Sequence, residues 1–218
     1  MEPNVISYNA GIGACETGGQ WQQALSLFAE MSEAHVEATA VSFEAVIRAC
    51  SWGGQLPHAL SMLTELGEAK LEVTAIAYNA ALSACKNMSP AQWETALSLF
   101  NDMQDVKVEP NKVTYSLGAT VCKIGGQWQN ALSLFSELRI TELELDVATY
   151  NVGVSACTAG TQWQLALSLL RVMGKSMLTV DTTGYHTGVT ALERSGQWRH
   201  ASPLLREMGA VVEMNVVG

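Results

Sequence analysis

The chain has 218 residues and a formal net charge of -9, and 48% of its residues are hydrophobic against 15% charged. This composition excludes intrinsic disorder, so we expect the whole chain to fold. The acidic balance argues against strong non-specific binding to polyanions, because such binding depends on Lys and Arg displacing counterions from phosphates.

Two segments with helical periodicity stand at the start of the chain. In the first, Tyr8, Ile12 and Cys15 recur at i, i+4 and i+7. The second follows the Gly18-Gly19 pair and repeats apolar residues at similar spacing: Trp21, Ala24, Leu25, Phe28 and Met31. We predict two amphipathic helices joined by a turn in which glycine accepts a positive φ. No signal or transit peptide is expected at Met1-Glu2-Pro3-Asn4, which has no basic or apolar leader.

This helix pair is the first of six copies. The string QWQQALSLF from Gln20 returns as QLPHALSML from Gln55, QWETALSLF from Gln92, QWQNALSLF from Gln127, QWQLALSLL from Gln162 and QWRHASPLL from Gln197. The period of about 35 residues gives repeats 1 to 6 at 5–39, 40–74, 75–111, 112–146, 147–181 and 182–216. One helical hairpin cannot bury its apolar face alone, so the copies are expected to stack into an all-α fold, an α-solenoid. An array without polar capping helices also leaves apolar ends through which other proteins are expected to associate.

Repeat 5 includes an uncharged segment, 147–170, that is long enough to raise the question of a membrane span. Asn151, Gln162 and Gln164 interrupt it, and its apolar residues fall in two amphipathic stripes. We therefore predict no membrane span.

Cysteine occupies the same place in five successive repeats: Cys15, Cys50, Cys85, Cys122 and Cys157. Ligands about 35 residues apart on stacked helices form a ladder and do not converge on one ion. We predict small buried core residues, with no metal, no cofactor and no small-molecule substrate.

Tryptophan opens the second helix of five repeats, at Trp21, Trp93, Trp128, Trp163 and Trp198. Because each shares the apolar stripe of its helix, we predict core residues that pack one repeat against the next. Trp52 is out of phase and is expected to be exposed. The four histidines lie at unrelated phases and no catalytic motif is present, so we predict a protein without enzymatic activity.

Three positions depart from the otherwise regular pattern. The fifth residues are Asn9, Glu44, Asn79, Ser116, Asn151 and His186, and the last residues are Thr39, Thr74, Asn111, Asp146 and Asp181, with Asn215 or Val216 ending repeat 6. The second residues are Ile6, Val41, Ile76, Val113, Ala148 and Thr183. Residues two and five share a helix face, and the last residue precedes the next helix, so each repeat presents one polar cluster beside an apolar neighbour. The last residues are also of the types that cap helix N-termini.

The sequence resembles the pentatricopeptide-repeat (PPR) family over essentially its whole length. The resemblance lies in the period, in the openings ISYN, IAYN, VTYS and ATYN, in the ALSLF second helix and in Val108-Glu109-Pro110-Asn111. It implies a right-handed superhelix that binds single-stranded RNA, one base per repeat. It further implies an adaptor in organellar RNA processing, stability or translation, in a mitochondrion or plastid.

The resemblance also implies residue roles. The fifth and last residues contact the base edge, and the second residue sandwiches the base. By the family's pairing, Asn79 with Asn111 indicates a pyrimidine, Ser116 with Asp146 indicates G and Asn151 with Asp181 indicates U. The pairs of Asn9 with Thr39 and Glu44 with Thr74, and His186 with its partner, leave the base open. Cations late in the first helix contact phosphate in the family, which here leaves Lys86, Lys123 and Arg194.

A second interpretation stays open. With so few cations at the phosphate positions, the chain is also compatible with a protein-binding solenoid that binds no RNA. Titration against oligonucleotide pools separates the two.

Overall fold

The computed structural model describes residues 4–88, 91–141, 143, 145–175, 181–204 and 206. Within these residues the chain is helical and contains no strand. The α-helices are α1 (Val5–Thr17), α2 (Trp21–Glu33), α3 (Ala40–Trp52), α4 (Leu56–Glu68), α5 (Ala75–Asn87), α6 (Trp93–Asp105), α7 (Lys112–Ile124), α8 (Trp128–Ile140), α9 (Val147–Ala159), α10 (Trp163–Lys175) and α11 (Thr182–Arg194). A short 3-10 helix, Trp198–His200, follows α11.

The chain divides into two compact units, Met1–Leu117 and Gly118–Gly218, and the division falls within α7. In the N-terminal unit the first helices α1, α3 and α5 lie side by side, and each packs against the second helix of its own repeat. In the C-terminal unit α9 contacts α8, α10 and α11. Helical hairpins therefore stack in each unit, as the repeat pattern predicts.

Each unit buries the apolar stripes of its helices in a core of its own. In the N-terminal unit Ile12, Met31, Ile47, Leu66 and Leu82 are inaccessible to solvent. In the C-terminal unit the core is built from Phe135, Tyr150, Val154, Leu169, Met173, Leu192 and their neighbours. These positions recur at helical spacing, which is why the hydrophobic period predicts the helices.

Glycine provides the turn inside several repeats. Gly19, Gly54, Gly126 and Gly196 have φ between 61° and 78°. This is the left-handed region, which costs glycine little because it has no Cβ. In repeat 5 Thr161 takes the same conformation, with φ 56°. The second glycine of each pair, and not the first, is therefore the residue that the turn requires.

The prediction that the cysteines are buried core residues is confirmed, because all five are buried. Burial raises the pKa of Cys50, Cys85 and Cys122 to about 11 and that of Cys157 to about 12. In the described part of the chain, no group of three His, Cys, Asp or Glu side chains is arranged to hold a metal ion. Among the described helices, none is both long enough and apolar enough to cross a membrane.

The tryptophans pack repeats together with one exception. A Cβ at Gly53 would come within 2.3 Å of the Trp21 indole, and a Cβ at Gly160 within 2.4 Å of the Trp128 indole, so each ring lies directly against the turn of the following repeat. Trp52 is exposed, as predicted. The core prediction is wrong for Trp198, whose side chain is 59% exposed; among the described residues no glycine turn lies against its ring as Gly53 lies against Trp21.

Candidate nucleic-acid interface

Large aliphatic side chains stand exposed at the second position of each repeat in the N-terminal unit. Ile6 is 73% exposed, and Val41, Ile76 and Val113 are each more than half exposed. In the C-terminal unit Ala148 and Thr183 occupy the equivalent positions and are also exposed. Apolar side chains repeated on adjacent first helices, and turned away from the core, are suited to cover the flat face of a base.

In repeats 2 and 3 the fifth residue reaches the last residue of the same repeat. Thr74 Oγ1 donates a hydrogen bond to Glu44 Oε1 over 2.5 Å. Asn79 Nδ2 donates to Asn111 Oδ1 over 3.4 Å. The first helix and the residue just before the next first helix therefore bring together the two positions that sequence reasoning paired.

Repeat 5 has the same arrangement with a carboxylate. Asn151 Nδ2 donates to Asp181 Oδ1 at 3.1 Å and to Asp181 Oδ2 at 3.3 Å. Asn151 is half-buried, whereas Asp181 is exposed. The pair offers solvent a carboxylate that can accept further hydrogen bonds.

The last residues also cap the helices that they precede. Thr74 Oγ1 accepts from the backbone N–H of Ile76, and a side-chain oxygen accepts from the third residue of the helix at Asn111, Asp146 and Asp181. At Thr39 the backbone N–H donates to Ser42 Oγ over 3.1 Å. Capping and pairing with the fifth residue therefore occur on the same side chain at Thr74, Asn111 and Asp181.

Three fifth residues share an unsatisfied atom. Asn9 Oδ1, Asn79 Oδ1 and Asn151 Oδ1 are buried and have no hydrogen-bond partner in the described structure. A buried acceptor without a partner costs about 1–3 kcal/mol. The recurrence of this defect at equivalent places indicates that these amides are held in position for something other than the stability of the repeat.

Two of the predicted phosphate-contacting cations meet in the C-terminal unit. Lys123 and Arg194 line a cavity of about 380 Å³ together with His186 and the hydroxyl residues Ser155, Thr158, Thr187 and Thr190. Lys123 Nζ donates to Ser155 Oγ over 3.1 Å. No carboxylate lines this cavity, so its potential favours an anion.

The remaining predicted residues lie at differing depths in the two units. Lys86 lies in the last turn of α5 and is half-buried. Ser116 and Asp146 are both half-buried, and His186 and Thr39 are exposed on the C-terminal and N-terminal units respectively. Asn215 and Val216 lie outside the described residues.

Sequence reasoning missed the cap of the first repeat. Asn4 Oδ1 accepts from the backbone N–H of Ser7 over 3.0 Å, just as Asn111 does for Thr114. The signal was present, because Glu2-Pro3-Asn4 repeats the string Glu109-Pro110-Asn111. The sequence analysis also did not identify the hydroxyl residues that line the cavity with Lys123, because they follow no repeat pattern.

Stacked two-helix repeats, three of which hold a polar pair between the first helix and the residue before the next first helix, define a helical-repeat protein. Sequence profiles identify which kind. The PPR repeat family profile matches residues 3–51, the PPR repeat profile matches residues 41–71, and the pentatricopeptide repeat domain profile matches residues 61–122. The chain belongs to the pentatricopeptide-repeat family. A search of the curated proteins found no match.

Solved structures share the fold. The pentatricopeptide repeat protein PPR10 from maize is 24% identical with a TM-score of 0.72, over 95% of this chain and 30% of that chain. The same protein in complex with an 18-nt psaJ RNA element is 17% identical with a TM-score of 0.54, over 96% and 35%. The PPR domain of Arabidopsis thaliana protein-only RNase P 1 in complex with tRNA is 16% identical with a TM-score of 0.65, over 76% and 86%. The present chain therefore spans about a third of the maize protein.

Proposed function

We propose that the chain binds single-stranded RNA through its first helices, with one base contacted by each repeat. The observation that carries the proposal is the contact between the fifth and last residues in repeats 2, 3 and 5. Amide, hydroxyl and carboxylate groups held together at a helix start match the donors and acceptors on the edge of a splayed base. Family membership supports the same function, since similar folds have been solved with RNA bound.

The amide oxygens without a hydrogen-bond partner favour binding of an RNA base. A small rotation of the Asn151 amide lets its Oδ1 leave the buried position and accept from a base, while Nδ2 or Asp181 takes another contact. An RNA base then satisfies an atom that the free protein leaves without a partner, and the cost of that atom is recovered on binding. The exposed second residues cover the face of the same base.

The proposed base for each repeat follows the family's pairing. Repeat 3 takes a pyrimidine, repeat 4 takes G and repeat 5 takes U. Fluorescence anisotropy with RNA pools tests this: G followed by U is enriched at adjacent positions, and Asn151→Ala or Ser116→Ala lowers affinity. Gln164→Ala, an exposed change on a second helix, is the matched control and leaves affinity unchanged. Pools that bind the wild-type chain and the variants equally contradict the proposal.

Protein binding without RNA is the second candidate, and the net charge of -9 favours it. If no RNA pool binds above the level of the variants, that function replaces the first. The adaptor role in an organelle is carried by family resemblance. It is tested by imaging a fluorescent fusion of the full-length protein against mitochondrial and plastid markers, and a fusion found in neither compartment contradicts it.

A further inference from the structure

A second cavity lies in the N-terminal unit, away from the fifth and last residues. It has a volume of about 280 Å³ and is lined by Leu63, Thr64, Gly67, Val73, Tyr78, Asp102, Asp105 and Val106. Its floor is apolar and buried, with Leu63 8% and Tyr78 5% exposed. Two exposed carboxylates, one helical turn apart on α6, stand at its rim. An apolar cavity with two acids at its mouth is unlike the cationic cavity at Lys123.

The cavity lies where repeat 2 has Leu63, a place at which the six repeats have either phenylalanine or leucine. Repeats 1, 3 and 4 have phenylalanine at this place, and each ring contacts an aromatic residue of the following repeat: Phe28 with Phe43, Phe100 with Tyr115 and Phe135 with Tyr150, with ring centroids 4.8, 5.6 and 6.0 Å apart. Leucine is smaller and does not fill the space in front of Tyr78. Repeat 5 also has a leucine, Leu170, at this place.

A departure from the repeat occurs at Asp102. In repeats 1, 2 and 4 the equivalent residue is glutamate, and a serine one turn earlier donates to it: Ser26 to Glu30, Ser61 to Glu65 and Ser133 to Glu137. Aspartate is one methylene shorter, and among the described residues neither Ser98 nor any other side chain donates to Asp102. Its carboxylate is therefore available at the cavity rim.

Tyr78 contributes a hydroxyl group to the cavity. The residue is 5% exposed. Its hydroxyl makes no hydrogen bond within the described residues and is not one of the buried atoms without a partner, so solvent reaches it. Burial, then the charges of Asp102 and Asp105, raise the pKa of Tyr78 above its usual value. The hydroxyl therefore stays neutral and can accept a hydrogen bond in a place where the potential is negative.

We propose that this cavity binds the arginine side chain of a partner protein. Leu63 and Val73 contact the aliphatic stem, while Asp102, Asp105 and the Tyr78 hydroxyl accept from the guanidinium group. Several acceptors spread over one end of the cavity suit the five N–H donors of arginine better than the compact ammonium of lysine. Complementary charge selects a basic segment and disfavours RNA, whose phosphates the two carboxylates repel.

The experiment uses the full chain and two labelled hexapeptide pools with randomised flanks. One pool has a central arginine, and the other has citrulline, which has nearly the same shape without the charge. The arginine pool binds roughly tenfold more tightly in fluorescence anisotropy, as expected when charge-assisted hydrogen bonds are present in one pool and lost in the other. Equal binding of the two pools, including no binding of either, overturns the proposal.

Variants locate the binding. Leu63→Phe introduces the residue that repeats 1, 3 and 4 have at this place and fills the cavity. Asp102→Asn with Asp105→Asn removes the charge. Both changes bring the arginine pool to the level of the citrulline pool. Gly67→Leu blocks the cavity from a helix position where an added Cβ meets no atom within 4 Å, so this variant remains informative if another fails to fold. Unchanged binding by Gly67→Leu overturns the proposal.

Glu94→Gln is the matched control, because it removes one acid from the same helix outside the cavity and leaves the arginine pool tightly bound. An equal loss in this variant means that general charge attraction is responsible, and the cavity assignment is overturned. Binding of free arginine amide is measured as a final comparison. If it binds as tightly as the peptides do, the ligand is a small amine and no partner protein is needed.

Discussion

Asn151 Nδ2 donates to both carboxylate oxygens of Asp181, and Asp181 Oδ1 also accepts from the backbone N–H of Gly184 over 2.8 Å. One carboxylate thus joins the proposed base-reading position of repeat 5 to the first turn of α11. Because aspartate and asparagine cap helices about equally well, substitution can separate its two roles.

Asp181→Asn is expected to change base preference without changing stability. Asparagine keeps the oxygen that accepts from Gly184 but offers an amide donor to the base. Uracil presents an N–H at the position where cytosine presents an acceptor, so preference at repeat 5 moves from U toward C in an RNA competition assay. Asp181→Ala is the comparison, with a loss of about 1 kcal/mol in the free energy of unfolding because the cap is removed. An unchanged base preference in Asp181→Asn counts against a base contact at this position.

Lys123→Ala is expected to weaken RNA binding without changing its sequence preference. The ammonium lies in a cavity that no carboxylate of the described residues lines. We expect it to contact the phosphate backbone of RNA whatever the base sequence. The slope of log affinity against log salt falls by about 1, as expected for one lost phosphate contact. Arg139→Ala, an exposed cation on α8, is the control and keeps most of the slope. Equal effects of the two variants would show that only net charge matters.

Two glycine-to-alanine changes are expected to act in opposite directions. At Gly67 an added Cβ meets no atom within 4 Å, so Gly67→Ala raises the free energy of unfolding by about 0.5–1 kcal/mol through helix propensity. At Gly160 the Cβ would lie 2.4 Å from the Trp128 indole, so Gly160→Ala lowers it by about 1–3 kcal/mol through overpacking. Chemical denaturation measures both, and stabilisation by Gly160→Ala would contradict the packing of Trp128 against this turn.

The buried thiols are expected to make stability fall above pH 9. The pKa of Cys50, Cys85, Cys122 and Cys157 in the folded chain is about 11 to 12, against 9.0 for an ordinary thiol, so the unfolded chain loses these protons first as the pH rises. Ionisation then favours the unfolded state, and stability is lost progressively between pH 9 and about 11 to 12. Denaturation at a series of pH values measures the slope, and Cys157→Ala makes it shallower. At pH 8 the native chain resists alkylation, whereas the unfolded chain reacts.

The helices and their stacking could be predicted from the sequence because the apolar period repeats six times. A residue that differs between repeats, such as Leu63 where repeats 1, 3 and 4 have phenylalanine, can be recognised by aligning the copies. The contact between Asn151 and Asp181 followed from the register of the repeats. The unsatisfied oxygen of Asn151 did not, because it depends on which way an amide turns in its packed surroundings.

Other features depend on neighbours that no single repeat encodes. The tryptophan pattern predicts a core residue at Trp198 as well as at Trp128. Burial depends on the turn that packs against the ring, such as the one at Gly160 for Trp128, and the pattern within one repeat does not encode that contact. The cavity at Tyr78 requires a small residue in one repeat and short acids in the next. Such sites arise between repeats, so a motif read within one repeat does not reveal them.

The last residue of a repeat caps the next helix and also faces the proposed ligand. For this reason few residue types are suitable at this position. Thr, Asn and Asp stand at this place in repeats 1 to 5, and all three are good N-caps. The fifth position has no capping role, and Asn, Glu, Ser and His are all found there. Base preference can therefore be changed through the fifth position with little effect on stability. A substitution at the last position also changes the cap of the next helix and so affects the folding of the neighbouring hairpin.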